Sequence, residues 1–176
     1  MLSIVLIIVT AIPLAVASPI YKIPPTLSRA SHKSNFCIPP QEFMIKNLRI
    51  WNIQTGSGSI TSISFDYSDN SVIPAIDTKC HLNQTSVNVG AKHLAPHHAC
   101  DDGLVEFMWT NGTLTVFERA CPQETIAHPH EVTGVLTPKL NCSEIIANGT
   151  IGAGISCSST LDVISGMFIN QRLRLG

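Results

Sequence analysis

Beyond residue 37, hydrophobic residues recur mostly at every second position, which is the spacing of a β-strand rather than the roughly 3.6-residue spacing of a helix. Within residues 62–67, Ile63, Phe65 and Tyr67 alternate with polar residues, so one face of this strand is apolar and the other is polar. Clusters of Gly, Asn, Asp and Ser interrupt the pattern at short intervals, as turns do between antiparallel strands. The pattern predicts an all-β fold.

A β-hairpin centred on Asn111 and Gly112 is the strongest local prediction. β-forming residues flank this pair over 104–110 and 113–119, and Asn-Gly favours a type I′ turn because both positions adopt positive φ. A two-residue loop fixes the register of the hairpin. On the face that we assign to the core, this register pairs Trp109 with Leu114 and Phe107 with Val116.

The opposite face of this hairpin mixes charged and apolar residues. It is more apolar than a solvated strand needs. Two interpretations are open: an ordinary sheet surface, or a face that contacts a partner protein or a second copy of the chain. The candidate contact residues are Leu104, Glu106, Met108, Phe117 and Arg119.

Other segments complete the predicted fold. Residues 48–53 read as a strand before the turn residues 56–59, and residues 133–140 read as another strand. Residues 161–173 fit either a strand or a short helix. We therefore predict a small antiparallel β-barrel or β-sandwich, stabilised by disulfides and ending in a short helix or strand.

The first 17 residues predict a signal peptide. The apolar run has the length of a signal-peptide core, and Ala15 and Ala17 occupy the positions of a small-residue cleavage site. The alternative is an uncleaved anchor, although no basic stop-transfer segment follows. Residues 18–36, rich in Pro and Ser, read as a flexible arm, and residues 37–176 read as one domain.

The six cysteines and four glycosylation sequons indicate an extracellular protein. An even number of cysteines behind a signal peptide favours disulfides, and these cysteines are spaced too widely for the ligand pairs of a zinc site. Spacing alone leaves many pairings open. The sequons predict N-glycans on surface loops at Asn83, Asn111, Asn141 and Asn148. We predict a secreted glycoprotein.

Charge and motifs narrow the functional classes. Charged residues make up 13% of the chain and the formal net charge is −1, so nucleic acids and anionic membranes are not expected partners. No phosphate-binding loop, dinucleotide fingerprint or serine-hydrolase elbow occurs in the sequence. We therefore assign no catalytic residue, no cofactor and no metal.

Strands and cysteines follow one another in a characteristic order, which consists of the segment 48–53, the strand 63–67, Cys80, Cys100, the hairpin strands 105–107 and 114–116, Cys142 and Cys157. Over residues 43–167 this order resembles the secreted fungal family of the Alternaria major allergen. The resemblance implies a disulfide-bonded β-barrel. It also implies three cysteine pairs, the last by elimination: Cys80–Cys100, Cys142–Cys157 and Cys37–Cys121. In that family the most N-terminal cysteine links two subunits, so Cys37 could instead form a bridge between chains and a homodimer.

The resemblance also carries the functional expectation. It implies a secreted, non-enzymatic interaction protein of a filamentous fungus, whose partners are extracellular proteins, including those of a host plant. One alternative is a carrier for a small apolar ligand in the barrel or in a dimer cleft. Another is an extracellular hydrolase or metal-dependent enzyme.

Two further groups of residues have a possible binding role beside an ordinary structural one. A Cys80–Cys100 bridge would bring several histidines into one neighbourhood, although loop histidines are usually solvated: His81, His93, His97 and His98. Three aromatic residues could form a sugar-binding platform, although core packing is the more common role: Trp51, Tyr67 and Trp109.

Overall fold

The computed structural model describes five segments of the chain: residues 38–55, 58–90, 95–120, 130–146 and 153–173. These segments form antiparallel β-strands and contain no helix, which confirms the all-β prediction. The strands are β1 (Glu42–Thr55), β2 (Gly58–Asp69), β3 (Ile76–Leu82), β4 (His98–Ala99), β5 (Val105–Thr110), β6 (Thr113–Arg119), β7 (His130–Leu136), β8 (Leu140–Ile145), β9 (Gly154–Ser159) and β10 (Val163–Leu173).

The strands form a nearly closed barrel. Their order is β3-β2-β1-β10-β7-β6-β5-β4, and the segment after β4 returns to β3, where the Asp101 backbone N–H donates to the Lys79 carbonyl oxygen at 2.9 Å. The β8-β9 hairpin lies outside this order and pairs through β9 with residues 49–53 of β1. The structure therefore selects a barrel over a sandwich.

Two disulfides are present among the described residues, Cys80–Cys100 and Cys142–Cys157, which are two of the pairs that the resemblance implies. The first joins the end of the β3 segment to the residue after β4, where the barrel closes. The second joins directly opposed residues of β8 and β9. Disulfides are consistent with an extracellular protein. Cys37 and Cys121 lie outside the described residues, as do the predicted signal peptide and arm.

The hairpin prediction is confirmed in detail. Asn111 and Gly112 have φ values of 51° and 80°, as a type I′ turn requires. Across the turn Trp109 pairs with Leu114, and Phe107 pairs with Val116. Phe107, Leu114 and Val116 are fully buried in the core.

One predicted segment is divided in the structure, and another takes one of its two predicted forms. The predicted strand over 133–140 is divided into β7 and β8 by residues 137–139, where Pro138 has no N–H to continue a ladder. The segment 161–173, which fitted a helix or a strand, contains the strand β10. No helix among the described residues has the length and apolar character needed to span a membrane.

A β-bulge in β1 changes which side chains face the core. Phe43 and Ile45 are buried before the bulge, whereas Leu48 and Ile50 are buried after it, so the alternation shifts by one residue. The shift is centred on Asn47, whose φ is 55°, in the left-handed region that Asn tolerates better than most residues. The odd-numbered residues that follow Asn47 therefore face outward.

Candidate functional site

The outer face of the β5-β6 hairpin, predicted from sequence as a contact face, is covered by part of the same chain. Glu106 and Phe117 are buried. The His97 ring stacks on the Phe117 ring with centroids 4.2 Å apart, and His97 Nδ1 lies 3.7 Å from Glu106 Oε2. The other three candidates, Leu104, Met108 and Arg119, are half-buried. Exposed large apolar side chains lie elsewhere on the barrel.

An exposed apolar patch lies on β10 and its neighbour β7. Phe168 and Gly134 pair across these strands, and Phe168 is fully buried in the core. Met167 and Val135 each lie one residue from this pair, so both face outward on adjacent strands. Their side chains are 51% and 43% exposed. We call this surface the β10 patch, which also includes the exposed Val163 and Ile169.

Charged residues of β1 border the β10 patch. Glu42 lies opposite Met167, and Lys46 lies opposite Val163. Both charged residues are exposed. An apolar centre with a charged rim is the usual composition of a protein contact surface.

A cluster of acidic groups lies inside the barrel, formed by Tyr67 and Asp69 of β2 and Glu118 of β6. None of the three is more than 1% exposed. The Tyr67 hydroxyl donates a hydrogen bond to Glu118 Oε2. Asp69 Oδ1 accepts hydrogen bonds from the Ser71 backbone N–H and hydroxyl at 2.6 and 2.7 Å. The remaining oxygens, Asp69 Oδ2 and Glu118 Oε1, have no donor group among the described residues.

The electrostatics of the buried carboxyl groups explain this arrangement. Asp69 and Glu118 act on each other's pKa, and neither Asp69 Oδ2 nor Glu118 Oε1 has a donor among the described residues, so a protonated carboxyl group in the cluster is favoured over two buried charges. Burial raises the pKa of Glu118 well above its usual value, the charge on Asp69 raises it further, and the Tyr67 hydrogen bond opposes the rise. Burial also raises the pKa of Asp69, against the hydrogen bonds from Ser71.

Because the acidic cluster is buried, it is not a substrate-binding site. A substrate cannot contact carboxyl groups that are fully covered, so this arrangement affects folding and pH response rather than surface chemistry. The sequence analysis missed Glu118, although a signal was present. Glu118 has the same strand parity as Leu114 and Val116, which were assigned to the core.

The histidines near the first disulfide have different partners. His81 Nε2 lies 2.8 Å from Asp101 Oδ1 at the surface, whereas His97 contacts Glu106 and Phe117. His98 Nδ1 lies 3.3 Å from the Val87 carbonyl oxygen. His93 lies outside the described residues. Within the described segments, no group of three or more His, Cys, Asp or Glu side chains is arranged to hold a metal ion.

Three of the four sequon asparagines are exposed. Asn83 follows β3 and Asn111 occupies the hairpin turn, while Asn141 lies on β8. Asn83 Oδ1 accepts hydrogen bonds from the Thr85 N–H and hydroxyl at 2.9 and 2.8 Å, which form a turn. Asn148 lies outside the described residues. Glycosylation at these positions remains a prediction.

Comparison of the chain with protein-family models, curated proteins and solved structures finds no match. The functional argument therefore rests on the surfaces and side chains of this molecule.

Proposed function

We propose that this protein is secreted and acts by binding another extracellular protein through the β10 patch, without catalysis. The observation that supports this proposal most is the patch itself. Exposed Met167 and Val135 lie side by side on neighbouring strands, with charged Glu42 and Lys46 along one border. Exposed apolar side chains on neighbouring strands, bordered by charge, favour a protein contact site.

A rigid support favours such a role. Antiparallel strand pairing links the patch to the rest of the barrel, and two disulfides hold other parts of the described chain. A surface that is already ordered loses little conformational freedom on binding. Large aromatic side chains fill the barrel interior, so binding at the outer surface has stronger support than carriage of an apolar ligand inside. These side chains are Phe43, Phe65, Phe107 and Phe168.

The proposed partner is a protein of the host plant's extracellular fluid. Secretion is supported by the signal-like first 17 residues, the disulfides and the exposed sequons. The plant host follows from the resemblance of the strand and cysteine order to the Alternaria major allergen family. A low net charge fits recognition through an apolar centre rather than through long-range electrostatic attraction.

A pull-down with charged variants of the patch tests this function. Mature glycosylated protein is immobilised and exposed to host apoplastic fluid, and retained proteins are quantified by mass spectrometry. We expect Met167→Lys and Val135→Lys to lower recovery of the specific partner about tenfold or more, because each buries a charge in an apolar contact. Val87→Lys is the matched control, since Val87 is 74% exposed and lies outside the patch.

Two outcomes would contradict the proposal. Equal recovery of the same partner by wild type and by both patch variants would place the contact elsewhere. Sedimentation that shows a wild-type dimer, lost in Met167→Lys, together with no retained host protein, would assign the patch to self-association instead.

A further inference from the structure

A second surface lies on the outer face of β1, β2, β3 and β9. It exists because of the bulge at Asn47. Without the bulge, the odd-numbered alternation of Phe43 and Ile45 would continue and would point Trp51 into the core. The bulge turns Arg49 and Trp51 outward, and a 2.6 Å hydrogen bond from Asn47 Nδ2 to Asp66 Oδ2 holds it against β2.

Small residues flank both outward-facing side chains. Trp51 lies opposite Ser62 on β2 and Ser156 on β9. Arg49 lies opposite Ser64 and Ser158 on the same two strands. Because serine side chains are short, they cover little of the two neighbouring side chains: Arg49 is exposed, and Trp51 is half-buried with its indole nitrogen covered. The result is an open groove of about 420 Å³, within the range of small-ligand sites.

The groove carries side-chain hydrogen-bonding groups that have no side-chain partner among the described residues. The Arg49 guanidinium and the hydroxyls of Ser62, Ser64 and Ser156 make no side-chain hydrogen bond to other described residues. His81 and Asn83 complete the rim. His81 is held there by Asp101 at 2.8 Å.

We propose that this groove binds an acidic saccharide. The sugar ring packs on the Trp51 indole, as apolar C–H faces of sugars do on aromatic rings. The sugar hydroxyls bond to the serine hydroxyls, which can both donate and accept, and they accept from the Asn83 amide nitrogen, because Asn83 Oδ1 already accepts from Thr85. The carboxylate of the sugar pairs with Arg49, whose planar guanidinium matches a carboxylate with two parallel hydrogen bonds. Of the three aromatic residues considered from sequence, Tyr67 is buried in the core and Trp109 packs against the core. Trp51 is therefore the aromatic residue on which a sugar ring would pack.

This site goes beyond the proposed protein contact and is tested separately from it. Isothermal titration of the full mature chain uses a galacturonic acid trimer as the probe and a neutral glucose trimer of equal length as the charge control. The protein is produced both unmodified and as Thr85→Ala, which removes the Asn83 sequon while leaving Asn83 in place. We expect the acidic trimer to bind about tenfold more tightly than the neutral one.

Variants localise the binding. Arg49→Gln is expected to weaken binding of the acidic trimer about tenfold and to abolish the preference over the neutral trimer. Ser62→Tyr is expected to weaken both trimers, because it fills the groove beside Trp51. Lys79→Gln is the control, since Lys79 lies on the exposed outer face of β3 outside the groove lining. Unchanged thermal midpoints identify variants that keep the fold.

Each titration result either supports or overturns the saccharide site. Binding that appears only in Thr85→Ala also supports the site, because a glycan on Asn83 then occupies the groove in the unmodified protein. Absence of binding in both proteins at millimolar probe overturns the proposal. Binding that survives both Arg49→Gln and Ser62→Tyr unchanged overturns it as well.

Discussion

Replacing Phe43 with alanine is expected to lower the free energy of unfolding by about 3–5 kcal/mol. Phe43 is fully buried, and its ring lies 5.9 Å from the Tyr67 ring and 5.2 Å from the Phe168 ring, measured between centroids. The substitution removes these contacts and leaves a cavity where three aromatic rings now pack. Urea unfolding of the oxidised protein measures the loss, and Ser165→Ala on exposed β10 surface serves as the control.

Two glycines make this site unusually sensitive to added volume. A Cβ atom built on Gly166 or on Gly134 would overlap the Phe43 ring. We expect Gly166→Ala to cost about 1–3 kcal/mol alone, because the methyl group displaces a buried ring. In the Phe43→Ala background the same change should cost less, because the cavity accepts the methyl group. Strictly additive losses would contradict this packing account.

The second large effect concerns pH. Glu118 holds its proton in the folded barrel at pH values where the unfolded chain, with a Glu pKa of about 4.3, has released it. A raised pKa contributes stability below the unfolded value, and that stability is lost as pH rises through the folded value. We therefore expect the free energy of unfolding to fall above about pH 4.3, by up to about 1.4 kcal/mol per pH unit.

The charges around the acidic cluster also favour a raised pKa for Glu118. Negative groups near the cluster raise its pKa values: the charge of Glu42 raises the pKa of Asp69, and the charge of Asp102 raises the pKa values of Glu118 and Tyr67. A buried carboxylate without a nearby cation is costly, so the pair retains its proton.

Glu118→Gln isolates the role of the buried acid. Glutamine keeps an oxygen that accepts from Tyr67 and adds an N–H that can donate to Asp69, without a proton that titrates. We expect this variant to flatten the fall in stability above pH 4.3 and to match or exceed wild type at neutral pH, as shown by urea unfolding across pH. Glu144→Gln, on exposed β8 surface, should keep the wild-type profile. The same flattening in both variants, or no change in Glu118→Gln, would contradict the account.

The parts of the fold that sequence could predict are those set by local rules. The hairpin at Asn111 and Gly112 was predicted to the residue, because turn type and loop length together fix the register. The strand 62–67 followed directly from alternation and lies within β2. Composition and cysteine count indicated a disulfide-bonded β protein, and two disulfides are present.

Features that depend on non-local contacts could not be predicted in the same way. The bulge at Asn47 shifts the alternation of β1 by one residue, and without it Trp51 reads as a core residue. His97 does lie in a loop, but the expectation of a solvated side chain was wrong, because its ring stacks on Phe117 of another strand and is buried. Asp69 belongs to one of the Ser, Asp and Asn clusters that predict turns, and its burial beside Glu118 depends on barrel closure.

Hydroxyl-radical footprinting of Met167 in the partner complex tests the central claim most directly. Met167 is 51% exposed in the free barrel and lies at the centre of the β10 patch, whereas half-buried Met108 lies on a different face. The account predicts that saturating partner slows oxidation of Met167 severalfold and leaves the oxidation rate of Met108 unchanged. An unchanged Met167 rate in the saturated complex, with protection at another surface, would contradict it.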